Sequence, residues 1–362
     1  MVSRNSWRWS APAAVVVAIG AGVGINGALS ADASPTLPHR SAEQLLVDLQ
    51  KAQPVQMSGT VVQHADLGIP ALPNVQGESS NLTSLVAGSH TLRVWYGGAD
   101  KARVALVGTL GESDVIRNGN DVWVWSSQKN QAQHLRLPAH RKQAEPRQLP
   151  SELSGLTPRQ LAEKILSAVD PSTAVKTDGT VSVAGRDAYQ VSISPRTADS
   201  KIGSIRIAID AETSAPLRVE VFARDNDSEP ALDAGFTHVD FGSQSASQFR
   251  FDPPSGVKVE QIKPQDAKKA AKKAENRHHS DAAQAPKVRE VGQGWRSVVI
   301  VSGIKDQKSK LQGYMDKLTP VSGTWGSGRL FSSALFDVLL TNDGRVIAGA
   351  VSPQVLYDAA GR

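Results

Sequence analysis

The chain has 362 residues, of which 40% are hydrophobic and 21% are charged, as in ordinary globular proteins with a substantial core. It contains no cysteine, which excludes disulfides, thiolate metal sites, a cysteine nucleophile and a lipid anchor on an N-terminal cysteine. The net charge of +5 is accounted for by residues 263–289, which hold eight basic and three acidic residues. A basic face for binding nucleic acid is therefore not predicted.

Residues 1–33 are predicted to be a targeting segment. Arg4 and Arg8 make its start basic, residues 11–29 are largely apolar, and residues 31–33 fit a small-residue cleavage site. The alternative is an uncleaved membrane anchor, since residues 11–29 approach the roughly 20 residues that a spanning helix needs. Both interpretations place the rest of the chain outside the cytoplasm, either released or tethered to the cytoplasmic membrane.

Two helices are predicted in the larger part of the chain. The first begins at Ser41, which has Gln44 three positions later in a capping-box spacing, and it ends before Pro54. Its apolar face is formed by Leu45, Leu46 and Leu49. The second covers residues 156–169, with Pro158 at its first turn.

Strand-like runs occupy most of the chain between Met57 and Gly242. They are residues 57–64, 91–96, 101–109, 113–118, 121–126, 133–137, 173–183, 188–194, 202–210, 217–223 and 231–242. Because most of these runs are joined by short turns, they predict a meander. With two helices to cover one face, we expect an α+β fold built on a curved antiparallel sheet.

A hydrophobic cavity is predicted on one face of this sheet. Trp123 and Trp125 share a face by the period-two rule, and they either fill a core or line the cavity. The candidate cavity residues, chosen by alternation along each strand, are Val94, Leu106, Trp123, Trp125, Val191, Ile193, Ile205, Ile207, Val219 and Val221.

Residues 65–89 form a connection that is unusually long for a compact domain. The segment contains no basic residue, and its apolar side chains need a partner surface to pack against. We expect it to act as a lid over the cavity. The lid candidates are Leu67, Ile69, Leu72, Leu82 and Leu85.

The last hundred residues divide into a linker and a second unit. Residues 263–289 are a basic, low-complexity linker with little to bury. Residues 294–362 are predicted to form a small α+β domain, with a helix over residues 305–318 and a hairpin around Asn342-Asp343-Gly344. Pro353 opens its final helix.

No catalytic or metal site is predicted. The pattern Gly22-x-Gly24-x-x-Gly27 matches a dinucleotide fingerprint, but it lies inside the targeting segment without a strand before it. His278 and His279 lie in the linker without carboxylate support, so they are a poor metal site. No serine lies in a nucleophile-elbow pattern.

The order of elements over residues 41–259 resembles the lipoprotein carrier proteins of the LolA/LolB type. The features that carry the resemblance are the first helix, a strand that contains Ser58-Gly59-Thr60, a hairpin, the second helix, the strands from residue 188 to 223, and the run from Phe249 to Val257. The resemblance implies an unclosed β-barrel, or half-barrel, lidded by helices. It also implies a shuttle for acyl chains without catalytic residues or cofactors.

The additional domain at residues 294–362 is similar in architecture to the RseB/MucB-type proteins, which join a carrier-like domain to a smaller one. Three functions stay open. The first is an extracytoplasmic, monomeric carrier of lipid or lipoprotein acyl chains. The second is a lipid-sensing regulator of a membrane signalling (anti-sigma) protein that binds through the small domain. A third class is a hydrolase with two carboxylates that meet in space.

Overall fold

A computed structural model describes residues 35–52, 54–69, 84–85, 87–108, 111–137, 171–262, 287–303 and 318–362. The targeting segment, the predicted helices over 156–169 and 305–318 (except Leu318), and most of the linker lie outside these residues. Within the described residues, no helix is both long enough and apolar enough to cross a membrane.

Twelve strands form one large sheet, and the chain enters it from helix α1 (Ala42–Lys51). Ser41 caps this helix as predicted, since its hydroxyl accepts from the Gln44 amide while the Gln44 side chain accepts from the Ser41 amide. The strands are β1 (Met57–Ala65), β2 (Gly88–Gly98), β3 (Lys101–Gly108), β4 (Gly111–Asn118), β5 (Asp121–Ser126), β6 (Gln131–Arg136), β7 (Thr173–Val183), β8 (Arg186–Pro195), β9 (Ile202–Asp210), β10 (Pro216–Ala223), β11 (Leu232–Phe241) and β12 (Lys258–Ile262).

The strand order in this sheet is β12-β6-β5-β4-β3-β2-β1-β11-β10-β9-β8-β7. Two meanders, β1–β6 and β7–β11, are thus joined through the antiparallel pairing of β1 with β11. Neighbouring strands are antiparallel except β12, which runs parallel to β6. The edge strands β7 and β12 do not pair with each other, so the sheet is an unclosed half-barrel, as predicted.

A second sheet of six strands follows, in the order β13-β14-β18-β17-β16-β15. Helix α2 (Pro353–Ala360) packs on it, with Leu356 against a core that includes Ile300, Leu339 and Ile347. Its strands are β13 (Lys287–Val291), β14 (Val298–Ser302), β15 (Thr319–Gly323), β16 (Gly326–Ser332), β17 (Asp337–Thr341) and β18 (Val346–Gly349). Residues 287–289, at the end of the predicted linker, therefore belong to a strand.

Candidate functional site

Helix α1 packs on one face of the large sheet at strands β7, β8 and β9, and we call this face of the sheet the helix face. Leu45 is buried in a cluster with Tyr189, Val191 and Ile209, and Leu49 packs against the same cluster. Residues directly opposite on paired strands point to the same face. The strand register therefore shows which other side chains share the helix face.

Eight of the ten candidate cavity residues lie on the helix face. Val191 pairs with Ile207, which pairs with Val219. Two residues further along these strands, Ile193 pairs with Ile205, which pairs with Val221. Val219 pairs with Ala234 and Ala234 with Gln63, which extends the face to β1. From there it continues through the pairs Val61–Leu92 and Leu92–Leu106, so Val94, two residues from Leu92, also shares it.

Trp123 and Trp125 lie on the opposite face of the sheet. Val94 pairs with Val104, Val104 with Val115, and Val115 with Val124, so Val124 and not its tryptophan neighbours lies on the helix face. Both indoles contact the ring of Phe251, with centroids 5.2 and 5.8 Å apart. The predicted alternation within β5 is therefore confirmed, but the register separates the tryptophans from the other candidates.

The helix face also holds apolar residues that the sequence did not single out. They are Met57, Val61, Leu92, Val104, Val115, Val122, Val124 and Phe236. Alternation shows only which residues of a single strand point to the same side. Their common face becomes visible from the cross-strand register.

The candidates on the helix face differ in how far they are covered. Leu106 and Val191 are fully buried, and Val94 is nearly so. By contrast, a strip across β8, β9 and β10 is only partly buried, although two of its residues, Ile193 and Ile207, pack against the cluster around Leu45. This strip consists of Ile193, Ile205, Ile207, Val219 and Val221.

The opposite face of β10 and β11 is charged. Arg218 donates to both carboxylate oxygens of Asp233, at 2.8 and 2.6 Å, and approaches Glu220 at 3.1 Å. Burial is the main reason why the pKa of Glu220 is raised, although Arg218 acts in the opposite direction. Because Arg218 and Glu220 alternate with Val219 and Val221, strand β10 presents one ionic and one apolar face.

Buried polar side chains anchor the C-terminal end of the connection between β1 and β2. We call this end, at Ser84, Leu85 and Ala87, the Leu85 root. The ring nitrogen Nε2 of His90 lies 2.8 Å from the Ser84 carbonyl oxygen and 3.0 Å from that of Ala87. Since both partners are acceptors, Nε2 carries the proton and donates to them. Gln63 Nε2 donates to the Leu85 carbonyl oxygen at 3.1 Å. Both side chains point from the helix face, where they form its polar end.

The described lid candidates lie at the two ends of this connection. One end is the Leu85 root, and we call the other, at residues 66–69, the Leu67 root. Leu85 packs against the core cluster that contains Val61 and Leu92. Leu67 and Ile69 are half-buried, and the carbonyl oxygen of Leu67 accepts a bond from the Ala334 amide at 2.8 Å. The candidates Leu72 and Leu82 lie outside the described residues. The lid function itself stays a prediction.

Two carboxylates, Glu112 and Asp114, meet the same guanidinium on the face opposite to α1. Arg103 Nη2 lies 3.3 Å from Glu112 and 3.2 Å from Asp114, and its guanidinium lies over the Trp95 ring. Burial raises the pKa of Asp114 to about 6, although Arg103 acts in the opposite direction. The pair thus forms an ion-pair network that lies away from the apolar strip.

No family profile matches the chain, and no curated protein sequence matches it. Several solved structures do. Pseudomonas aeruginosa MucB, in its complex with MucA, is 14% identical at a TM-score of 0.43, over 88% of this chain and 96% of that one. A LolA superfamily protein from Nitrosomonas europaea is 11% identical at a TM-score of 0.22, over 59% and 99%. The Mycobacterium tuberculosis lipoprotein LppX is 10% identical at 0.27, over 60% and 96%. Both protein groups named from the sequence are among these structures.

Proposed function

We propose that this protein binds the acyl chains of lipids or lipoproteins on the helix face of its half-barrel and carries them outside the cytoplasm. The observation that carries the proposal is the partly exposed apolar strip on β8, β9 and β10. An aliphatic surface attracts a hydrocarbon chain because it removes that chain from water. Each buried methylene contributes about 0.8 kcal/mol, so binding needs few polar contacts.

Residues 1–33 supply the proposed location. A basic start followed by the apolar stretch at residues 11–29 directs the chain across the cytoplasmic membrane, and a fold without cysteine does not depend on the redox state of the compartment. Outside the cytoplasm, a lipid or lipoprotein must be shielded from water while it moves.

Fluorescence of cis-parinaric acid, a conjugated fatty acid, tests the proposal on the protein purified from the exported fraction. The substitution Val219→Glu places a charge in the apolar strip, and the matched control Val107→Glu changes a 39% exposed valine on the opposite face. Wild type and the control should bind the probe, whereas Val219→Glu should weaken binding at least tenfold. Equal affinities of the two variants, or no binding by wild type, would contradict the proposal.

A regulator that senses lipid is the second candidate function. It is favoured by the contact between the small sheet and the half-barrel, which includes the buried pair Lys201–Asp337. A regulator should capture a membrane signalling protein in its lipid-free form and release it when loaded with lipid. A carrier should show no such dependence. Crosslinking of the full chain in membranes, with and without added fatty acid, distinguishes the two functions.

A further inference from the structure

The small sheet is attached to the turn between β8 and β9 of the half-barrel by backbone hydrogen bonds. The Lys201 amide donates to the Ala350 carbonyl oxygen at 3.0 Å, and the Ser352 amide donates to the Asp199 carbonyl oxygen at 2.7 Å. Ser200 and Val351 form the bridge between these two bonds. We call this region the docking contact. Its strand-like pairing fixes the position of the small sheet along the turn.

A buried ion pair lies at the centre of the docking contact. Lys201 Nζ lies 2.7 Å from Asp337 Oδ1, and the two side chains are 15% and 0% exposed. The Ser332 hydroxyl donates to the same carboxylate oxygen at 2.6 Å. Removing one member of such a pair leaves the other buried without its counter-charge, which strongly disfavours the docked arrangement.

The turn that carries Lys201 is hydrogen-bonded from within the half-barrel. The Arg224 guanidinium donates to three backbone carbonyl oxygens of this turn, those of Thr197, Ser200 and Ile202, at 2.9, 2.6 and 3.1 Å. These bonds order the backbone of the turn through residues of the half-barrel alone, which lowers the entropic cost of docking.

The docked small sheet also touches the connection between β1 and β2. The Ala334 amide, in the turn between β16 and β17, donates to the Leu67 carbonyl oxygen at 2.8 Å. That turn is closed on itself, because the Ser333 hydroxyl donates to the Phe336 carbonyl oxygen at 2.7 Å. Three residues beyond Ala334 in the chain is Asp337, so the ion pair and the bond to Leu67 belong to one short segment.

The two roots of the β1–β2 connection are therefore held by different parts of the molecule. The Leu67 root is bonded to the small sheet, whereas the Leu85 root is bonded by Gln63 and His90 and packs on the apolar core of the helix face. The chain between these two roots therefore joins the docking contact covalently to the helix face.

We propose that docking of the small sheet through Lys201 and Asp337 fixes the Leu67 root and thereby strengthens acyl-chain binding on the helix face. This proposal rests on the proposed lipid-binding function. Because coupling between two equilibria is reciprocal, acyl-chain binding must strengthen docking by the same factor. The contact between the two sheets is then the place where occupancy of the half-barrel is communicated to the small domain.

Hydrogen exchange without ligand tests the docking half of the proposal. Lys201→Met should speed exchange of the Lys201, Ser352 and Ala334 amides together, at least tenfold. The matched control is Lys176→Met, which removes the same charge from a side chain that is 66% exposed. The double variant Lys201→Met/Asp337→Leu replaces the pair by apolar side chains and should restore slow exchange. Unchanged exchange at Ala334, while Lys201 and Ser352 become faster, would show that docking does not hold Leu67.

Titration with cis-parinaric acid tests the coupling half. Lys201→Met should weaken probe binding at least threefold, Lys176→Met should not change it, and saturating probe should slow exchange at Ala334 in wild type. Faster exchange at Ala334 with unchanged probe affinity would overturn the coupling and leave the lipid-binding function standing. A wild-type chain that binds no probe would overturn the lipid-binding function and the coupling with it, while the exchange data would still decide whether docking holds Leu67.

Discussion

The imidazole of His134 stacks flat on the indole of Trp123, with ring centroids 4.1 Å apart and planes inclined by 9°. The same imidazole reaches Gln261 on the edge strand β12 through Nδ1 at 2.9 Å, and Asp121 through Nε2 at 2.8 Å. This arrangement joins β5, β6 and β12 on the face opposite to α1. It gives Trp123 a role in stability that is separate from the apolar strip.

The substitution Trp123→Leu should therefore lower the free energy of unfolding without affecting acyl-chain binding. Loss of the stack on His134 and of the contact with Phe251 should cost about 1–3 kcal/mol, measured by urea denaturation. Probe affinity should stay within twofold of wild type. Val124→Glu, which changes the neighbouring residue on the helix face, is the variant with which probe affinity is compared. A tenfold loss of probe binding in Trp123→Leu at unchanged stability would restore the tryptophan to the binding site.

The tryptophans also show how far alternation in the sequence can be used. Within β5 it correctly separates Trp123 and Trp125 from Val122 and Val124. It does not relate β5 to β2, because a shift of one residue at any intervening turn exchanges the two faces. In β9 and β10, by contrast, isoleucine and valine alternate with arginine and glutamate. There the sequence identified the apolar face directly.

Two features of the sheet leave little trace in the sequence. Strand β12 has the sequence Lys-Val-Glu-Gln-Ile and is almost wholly exposed, so no apolar alternation marks it. Polar side chains attach it, among them Gln131 and Gln133, which both donate to Glu260 at 3.3 and 3.0 Å. The pairing of β1 with β11 joins residues far apart in the chain. Local propensities carry no information about such a pair, whereas the turns within each meander are local and were predicted.

His90 is predicted to stabilise the root of the β1–β2 connection. His90→Leu removes the donor that serves the carbonyl oxygens of Ser84 and Ala87, and leaving buried acceptors unpaired should cost about 1–3 kcal/mol. The control is His64→Leu, because His64 is exposed and lies on the opposite face. It should change the free energy of unfolding by about 0.5 kcal/mol or less. Equal effects of the two substitutions in urea denaturation would refute this role.

Asp114 should make the protein more stable as the pH falls from 7 towards 4. Burial raises its pKa to about 6 in the folded state, so the folded chain binds a proton that the unfolded chain releases. The stabilisation is complete below the unfolded pKa and is lost as the pH rises through about 6. Urea denaturation of wild type and Asp114→Asn at several pH values isolates this contribution. The free energy of unfolding of wild type relative to that of Asp114→Asn should rise on acidification. A difference independent of pH would disprove the assignment.

Asp210 should show the opposite dependence, because its partners outweigh its burial. Burial alone would raise its pKa, but Arg186 donates to its two oxygens at 2.7 and 2.9 Å and Thr213 donates through its amide and hydroxyl, so the pKa is lowered. The resulting stability is present above the ordinary pKa of an aspartate and is lost as the pH falls through the lowered value. In Arg186→Met, the effect of burial on the Asp210 pKa is opposed much less. A charged Asp210 carboxylate then lowers the stability of the folded state at neutral pH.

The expected cost of Arg186→Met at pH 7 is about 3 kcal/mol, since one partner of a buried pair is removed. Acidification towards pH 4 should reduce this cost, because Asp210 then takes up a proton in the variant and no longer needs the guanidinium. Arg196→Met, at an exposed arginine, is the matched control and should change stability little at either pH. The measurement is urea denaturation of all three proteins at both pH values. If Arg186→Met costs as much at pH 4 as at pH 7, the arginine stabilises the sheet through its packing over the Phe241 ring and not through the charge of Asp210.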